Sequence, residues 1–350
     1  MITNAIMSGF VSVSDYLSAH VLACLVPAFF IAGAVAVFVS RQSVIRYFSS
    51  KTKKIVSYSI ASISGTVLAV CSCTILPLFA GIYKRGAGIG PATTFLYSGP
   101  AINILAIVYT AKILGFELGV ARAVMAISMS ILIGLVMASL FKDYDMKNKT
   151  NTQFEMNEER SHSQWILLLL FVFLVLILVI GTANLSLTFR LGVITLLILG
   201  VIFLLKYYFT GEEIRDWGYE TWDLTKKIFP ILIIGTFAVG VIAYYLPPET
   251  FRAFLGGNSL VSCFTASVIG ALLYMPTLLE VPIIGTTLGY STGVMGGGPA
   301  LSLLLSGPSV SLPSMLVLNR IMGTKKTTAF IILVVFVSTL AGFAYGNVVG

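Results

Sequence analysis

The chain has 350 residues, 57% of them hydrophobic and 10% charged, against roughly 25% charged in an average soluble domain. That balance excludes an ordinary water-soluble domain and describes an all-α polytopic membrane protein. The formal charge of +8 does not point to nucleic acid, because in a membrane protein Lys and Arg report orientation.

The opening MITNAIMSGFVSVSD carries no Lys or Arg, so it lacks the charged region of a cleavable signal peptide, and the apolar run after it is too long for one. Runs long enough for a span, about 20 residues, occur near 17–40, 118–141, 165–181, 189–209, 228–246 and 327–348. Regions 55–110 and 259–318 are equally apolar but broken by Gly, Pro and Ser. Trp165, Trp217 and Trp222 read as interfacial anchors. His20 and His162 lie too far apart to suggest a metal motif. The four Cys (Cys24, Cys71, Cys73, Cys263) stand in apolar surroundings and form no disulfide framework.

The chain repeats itself. GIGPATTFLYSGPAINI from Gly88 matches GGGPALSLLLSGPSVSL from Gly296 at an offset of 208, and ASISG from Ala61 matches ASVIG from Ala266 at an offset of 205. Leu76-Pro77 and Val281-Pro282 also stand 205 apart. The expected organisation is a first repeat over 1–141, a cytoplasmic loop over 142–163, two connecting helices with a cytoplasmic loop over 164–227, and a second repeat over 228–350.

Counting cations selects a topology. If 55–83 and 259–295 each dip into the membrane and return, one face collects 18 Lys and Arg and the other keeps four, Lys112, Arg122, Arg190 and Arg252. If every apolar segment crosses, the split is 12 against 10, which is no positive-inside rule. The reading is therefore about eight transmembrane helices plus two re-entrant hairpins, with the second repeat inverted, as in many secondary transporters. Non-helical backbone at membrane depth is tolerated only where it is buried in protein or lines a watery cavity. Ser72, Thr74 and Pro77 are expected to supply the break in the first hairpin, and MPTLLEVP from Met275 that in the second.

Gly90-Pro91 and Gly298-Pro299 read as helix starts. Ser98-Gly99-Pro100 and Ser306-Gly307-Pro308 then fall near the middle of a span, where Pro frees carbonyls and a new half-helix exposes N–H groups. These breaks and the hairpin tips are expected to meet at the midplane as the substrate site. Cys71 and Cys73 are candidate soft-metal ligands, since thiolates favour Cu(I), Zn(II) and, by the same logic, trivalent arsenic; packing is the other reading of the pair. Glu280 is an intramembrane acid, which costs ~2.5–3.5 kcal/mol on insertion scales and is functional by default; it is the expected proton-coupling group. Asn103 offers an amide to a polar ligand or to the freed backbone.

The run CSCTILPLFAGIYKRGAGIGPATTFLYSGPAINILA, 71–106, resembles the signature of the predicted permease family UPF0718/DUF318, which includes ArsP-like organoarsenical efflux permeases. The resemblance implies a membrane permease, with members that export trivalent organoarsenicals using thiols. It also implies Cys71, Cys73, Pro77, Gly86, Gly90, Pro91, Ser98, Gly99, Pro100 and Asn103 as the motif residues. The expected function is a secondary carrier exporting a small solute, with a soft thiol-reactive species as one candidate. The alternatives are a carrier for another small anion or metal ion, or an intramembrane thiol oxidoreductase. An oxidoreductase usually needs C-x-x-C and a second pair, and this chain has C-x-C. No cofactor and no enzymatic activity are expected. The expected partners are a small solute or ion, the lipid bilayer and a second copy of the chain, in the cell (inner) membrane.

Overall fold

The computed structural model describes residues 2–17, 25–38, 54–68, 72–142, 164–182, 186–245, 254–273 and 280–349. Among these residues the secondary structure is helical throughout, with no strand. Every backbone polar group in a bilayer must be satisfied within its own segment or by a closed barrel, and helices do this for an apolar chain of this kind.

The helices are α1 (Ile2–Tyr16), α2 (Val26–Phe38), α3 (Lys54–Leu68), α4 (Ser72–Lys84), α5 (Ile89–Ala101), α6 (Ile104–Ile113), α7 (Phe116–Leu140), α8 (Gln164–Thr182), α9 (Leu187–Tyr208), α10 (Gly211–Tyr245) and α11 (Leu260–Leu272). A short turn Glu280–Pro282, continued by the wider Ile283–Thr287, precedes α12 (Gly297–Ser306), α13 (Leu312–Met322) and α14 (Thr324–Val349). Four are long and apolar enough to cross a membrane: Phe116–Leu140, Thr188–Tyr208, Gly211–Val241 and Thr324–Val349. A fifth span results if Ile89–Ala101 and Ala106–Ile113, bent by 43°, act together.

Helix boundaries recur at the spacing found in the sequence. The starts of α5, α6 and α7 at 89, 104 and 116 return as those of α12, α13 and α14 at 297, 312 and 324, each 208 later. The links before α7 and α14 turn on Gly115 (φ 112°) and Gly323 (φ 83°), a backbone region that only Gly enters cheaply. Packing recurs too. A Cβ on Gly134 of α7 would lie 2.8 Å from the Gly90 carbonyl of α5, and one on Gly298 of α12 would lie 2.8 Å from the Gly342 carbonyl of α14. Small residues let backbones approach where lipid provides no hydrophobic drive for association. Hydroxyl pairs knit the next helix to each unit, Ser62 with Ser130 at 3.2 Å and Thr339 with Ser267 at 3.1 Å.

Charges gather at one end. Lys84 at the end of α4 reaches Glu220 and Asp223 of α10 at 2.9 and 3.0 Å, and Lys227 also holds Asp223, at 2.8 Å. Lys326 at the start of α14 donates to the Tyr83 hydroxyl at 2.8 Å, and Arg85 donates to the Val37 carbonyl at 2.9 Å. These contacts bring Lys84, Arg85, Lys227 and Lys326 to the same end of α4, α10 and α14.

Four expectations change. Residues 2–16 form a helix that packs on the end of α10, with Ser8 donating to the Gly240 carbonyl at 2.9 Å; its polar positions hide it from a hydropathy scan. The segment 211–227, expected in a loop, is the amphipathic first half of α10. Trp217 is buried rather than interfacial, donating to the Phe30 carbonyl at 2.8 Å, because α2 covers that face of α10. Ser72, Thr74 and Pro77 lie inside helix α4. Pro77 is five residues from the helix start, so its ring costs one bond to the carbonyl of residue 73 without ending the helix. Residues 69–71, including Cys71, and the MPTLL stretch 275–279 fall outside the described residues, as do Cys24, His20 and His162.

Candidate functional site

The two broken helices touch at matching positions. The Tyr97 hydroxyl of α5 donates to the Leu305 carbonyl of α12 at 3.3 Å. Residues 97 and 305 stand 208 apart, the offset of the sequence match. Tyr97 is fully buried, and its hydroxyl also lies 3.7 Å from the Met129 sulfur of α7.

In the first unit the helix break lies slightly later than the SGP triplet, and in the second it falls on it. Helix α5 continues through Ser98, Gly99 and Pro100 to Ala101, and the chain leaves it at Ile102 and Asn103. In the second unit α12 ends at Ser306, Gly307 caps it in a right-handed conformation, and α13 begins at Leu312. A helical Pro forfeits its own N–H bond but clashes only with the preceding turn, so the helix runs on until its last carbonyls are free. The next half-helix is capped from within. Asn103 Oδ1 accepts from the Ala106 N–H at 3.4 Å, and at the matching position the Ser311 N–H donates to Ser314 Oγ at 2.7 Å. Asn103 therefore serves the freed backbone, and Ser98 does likewise, donating to the Ala61 carbonyl at 3.2 Å.

Beside this break lies the strongest electrostatic feature among the described residues. Arg122 of α7 and Glu280 are both fully buried, with Arg122 Nη1 3.5 Å from Glu280 Oε1. Arg122 Nη1 also donates to Thr110 Oγ1 of α6 at 2.9 Å. Its Nε and Nη2, and both oxygens of Glu280, have no hydrogen-bond partner among the described residues. Glu280 Oε2 comes within 3.6 Å of the place a Cβ on Gly307 would occupy. The carboxylate thus lies beside the second helix break, where Gly307 has no side chain to exclude it.

Arg122 corrects the sequence reading, which counted it on the outer face. It stands six residues inside α7, about 9 Å along the axis, and is wholly enclosed. The signal was available: in FELGVARAV it lies within an apolar run with no other cation nearby, and an intramembrane charge calls for a partner. A lone acid in one unit and a lone base in the other were the pair to match.

The other candidates are placed as follows. Thr74, Pro77, Ser98, Gly99, Pro100, Asn103, Ser306, Gly307 and Pro308 are all buried. The backbone of Ser72 and Cys73 forms the first turn of α4, while Cys71 lies outside the described residues. Among the described residues no three His, Cys, Asp or Glu side chains gather as a metal site. Cys263 is a buried free thiol in α11, against Gly298, in keeping with a packing role.

The protein is similar to UPF0718 protein MJ0584 of Methanocaldococcus jannaschii, with 43% identity over 346 residues, 96% of this chain and 94% of the relative. It is also similar to UPF0718 protein YraQ of Escherichia coli K12, with 24% identity over 251 residues, 72% of this chain and 56% of that protein. No solved structure matches. The pattern of a family described as predicted permease, ArsP_1, matches residues 6–347, and with nearly the whole chain covered, the protein belongs to that permease family.

Proposed function

We propose that this protein is a secondary carrier with two inverted halves, which passes a small solute through an occluded site at the two helix breaks, with Glu280 carrying a coupling proton. The observation that carries this reading is the fully buried pair of Arg122 and Glu280, one from each half, beside Gly307. Buried charges within a membrane domain are costly and mark pathways or proton relays. The two-fold repeat is supported by the recurrence of helix starts at an offset of 208 and by the contact between positions 97 and 305, and its inversion by the 18-to-4 split of the cations. Chain halves related by a two-fold axis touch at equivalent positions on that axis. Eight spans follow if α5 with α6, and α12 with α13, each act as one broken span and the hairpins at 55–83 and 259–295 return to their own sides.

Cys71 and Cys73, with Ser72, Thr74 and Pro77, form the first hairpin in this reading and supply thiols for a substrate with a soft atom. Ser98, Gly99, Pro100 and Asn103 line the same site with Glu280 and Ser306, Gly307 and Pro308. The experiment is transport in inverted membrane vesicles, with methylarsenite, thiosulfate and acetate as probes. Glu280→Gln keeps the shape of the side chain, and the expected outcome is loss of pH-driven flux with exchange at zero gradient retained. If the gradient still drives flux in the variant, Glu280 is not the coupling group.

A further inference from the structure

Arg122 has more donors than the described structure uses. A guanidinium presents five N–H groups in a fixed fork. Here Nη1 serves Thr110, and Nε and Nη2 are unpartnered among the described residues at zero exposure. Its counter-ion is held loosely: the contact is 3.5 Å, and neither Glu280 oxygen accepts a hydrogen bond from a described residue. A pair built for rigidity is short and bidentate, with N–O distances near 2.8 Å.

The fold does not require these charges. At an offset of 208 Arg122 corresponds to Phe330, and at an offset of 205 Glu280 corresponds to Ile75. Both counterparts are buried apolar residues, at 0% and 1% exposure. The same helical framework thus closes around hydrocarbon in one unit and around a charge in the other. Replacing a buried ion pair by apolar groups is often neutral or stabilising, so packing alone gives no reason to keep it.

We propose that Arg122 is the recognition residue for a small anion, an oxyanion or carboxylate, and that Glu280 is the internal anion which this substrate displaces. The inference rests on the carrier reading and names its substrate class. The free guanidinium edges offer the planar, bidentate geometry that carboxylates and oxyanions match. When Glu280 takes up a proton, Arg122 is left without a counter-charge, and a bound anion supplies one in the enclosed site. Proton and anion therefore bind together and cross together. Coupling of this sign moves the solute with the proton, so an inward proton gradient drives uptake. Among the described residues, the charged or titratable groups facing the pair are Tyr97 from α5, with Arg122 and Glu280 themselves; α6 brings Thr110 and α12 brings Gly307.

The test is ligand binding to the full-length protein in detergent, read as thermal stabilisation, so it does not depend on transport. Thiosulfate, sulfite and acetate are titrated at constant ionic strength against gluconate. The wild type is expected to show a saturable rise in Tm with at least one of the three, larger at roughly pH 5.5 than at roughly pH 8 because proton and anion bind together. Glu280→Gln removes the competing carboxylate and is expected to bind that anion roughly tenfold more tightly and without pH dependence. Arg122→Lys keeps the charge but not the fork and is expected to lose roughly tenfold in affinity. The neutral double variant R122Q/E280Q, which keeps volume and removes both charges, is expected to show no anion response. An equal response in wild type and double variant, or none in both wild type and Glu280→Gln, overturns the assignment. Either result leaves the carrier reading standing if pH-driven flux still depends on Glu280.

Discussion

Breaking the Arg122–Glu280 pair from either side should expose how strongly the two halves are tied. At 3.5 Å, with an effective dielectric constant near 20, the attraction is about 5 kcal/mol. Removing one partner of a buried pair leaves the other uncompensated, a loss of about 3–5 kcal/mol. Glu280→Gln should be the more damaging single change, because a guanidinium cannot shed its charge, whereas the carboxyl left by Arg122→Gln can bind a proton. The double variant R122Q/E280Q loses the attraction and the desolvation cost together and should lie within about 2 kcal/mol of the wild type. A double-mutant cycle of unfolding in detergent, in gluconate so that no small anion substitutes, should therefore give a coupling of about 4 kcal/mol or more. Single losses that simply add, with a coupling below about 1 kcal/mol, would refute a direct buried interaction.

Gly134→Ala should destabilise by about 1–3 kcal/mol, since the new Cβ would meet the Gly90 carbonyl at 2.8 Å and a backbone oxygen cannot swing aside. Gly192→Ala on α9, where nothing lies within 4 Å, is the control and should be neutral or gain up to about 1 kcal/mol from helix propensity; equal Tm values for the two variants would contradict the close α5–α7 approach. Topology is checked by labelling single Cys at Lys84, Tyr290 and a position in 143–163 with an impermeant reagent. Lys84 and the loop should react from the cytoplasm and Tyr290 from the other side, and a Lys84 that labels from outside removes both the hairpin and the inversion. Cys71→Ser and Cys73→Ser should each lower methylarsenite flux in inverted membrane vesicles at unchanged protein level, and unchanged flux in both means that the thiols only pack.

Long elements with one dominant signal were legible in the sequence. The apolar runs at 118–141, 165–181, 189–209 and 327–348 became α7, α8, α9 and α14 within a few residues, because twenty apolar residues in a row have no other way to satisfy their backbone. The matching SGP segments located both breaks to within a few residues, and Glu280 declared itself as the lone acid of an apolar stretch. The failures share a physical origin: a one-dimensional scan sees composition and not the neighbouring helix. Arg122 six residues into α7 and Trp217 in an amphipathic helix both have the polarity of interfacial residues. Only the packing of Glu280 on one and of α2 on the other makes them interior. The placement of the breaks after Pro100, rather than at it, was illegible for a different reason. Proline lacks an N–H, but the helix ends where the last carbonyl finds no donor, and that depends on caps such as Asn103 and Ser311, whose role is set by the following turn.

The framework and the chemistry of this protein obey different symmetries. Glycine contacts, hydroxyl pairs and helix starts recur in both units, whereas the base occurs only in the first and the acid only in the second. In the proposed carrier, a framework repeated about a pseudo-two-fold axis can adopt two arrangements of similar energy with the roles of the halves exchanged, as alternating access requires. A solute that must be recognised in both arrangements needs a site that neither half owns, and one charge from each half meets that condition. Because Arg122 sits on the continuous helix α7 while Glu280 begins a short turn that widens at once into Ile283–Thr287, the base is anchored and the acid rides on the less regular element. In the proposed carrier, a proton or an anion that changes the force between them therefore acts on that turn first. Differential binding to the two arrangements, which any ligand-driven switch needs, then follows from where the carboxylate stands relative to Arg122.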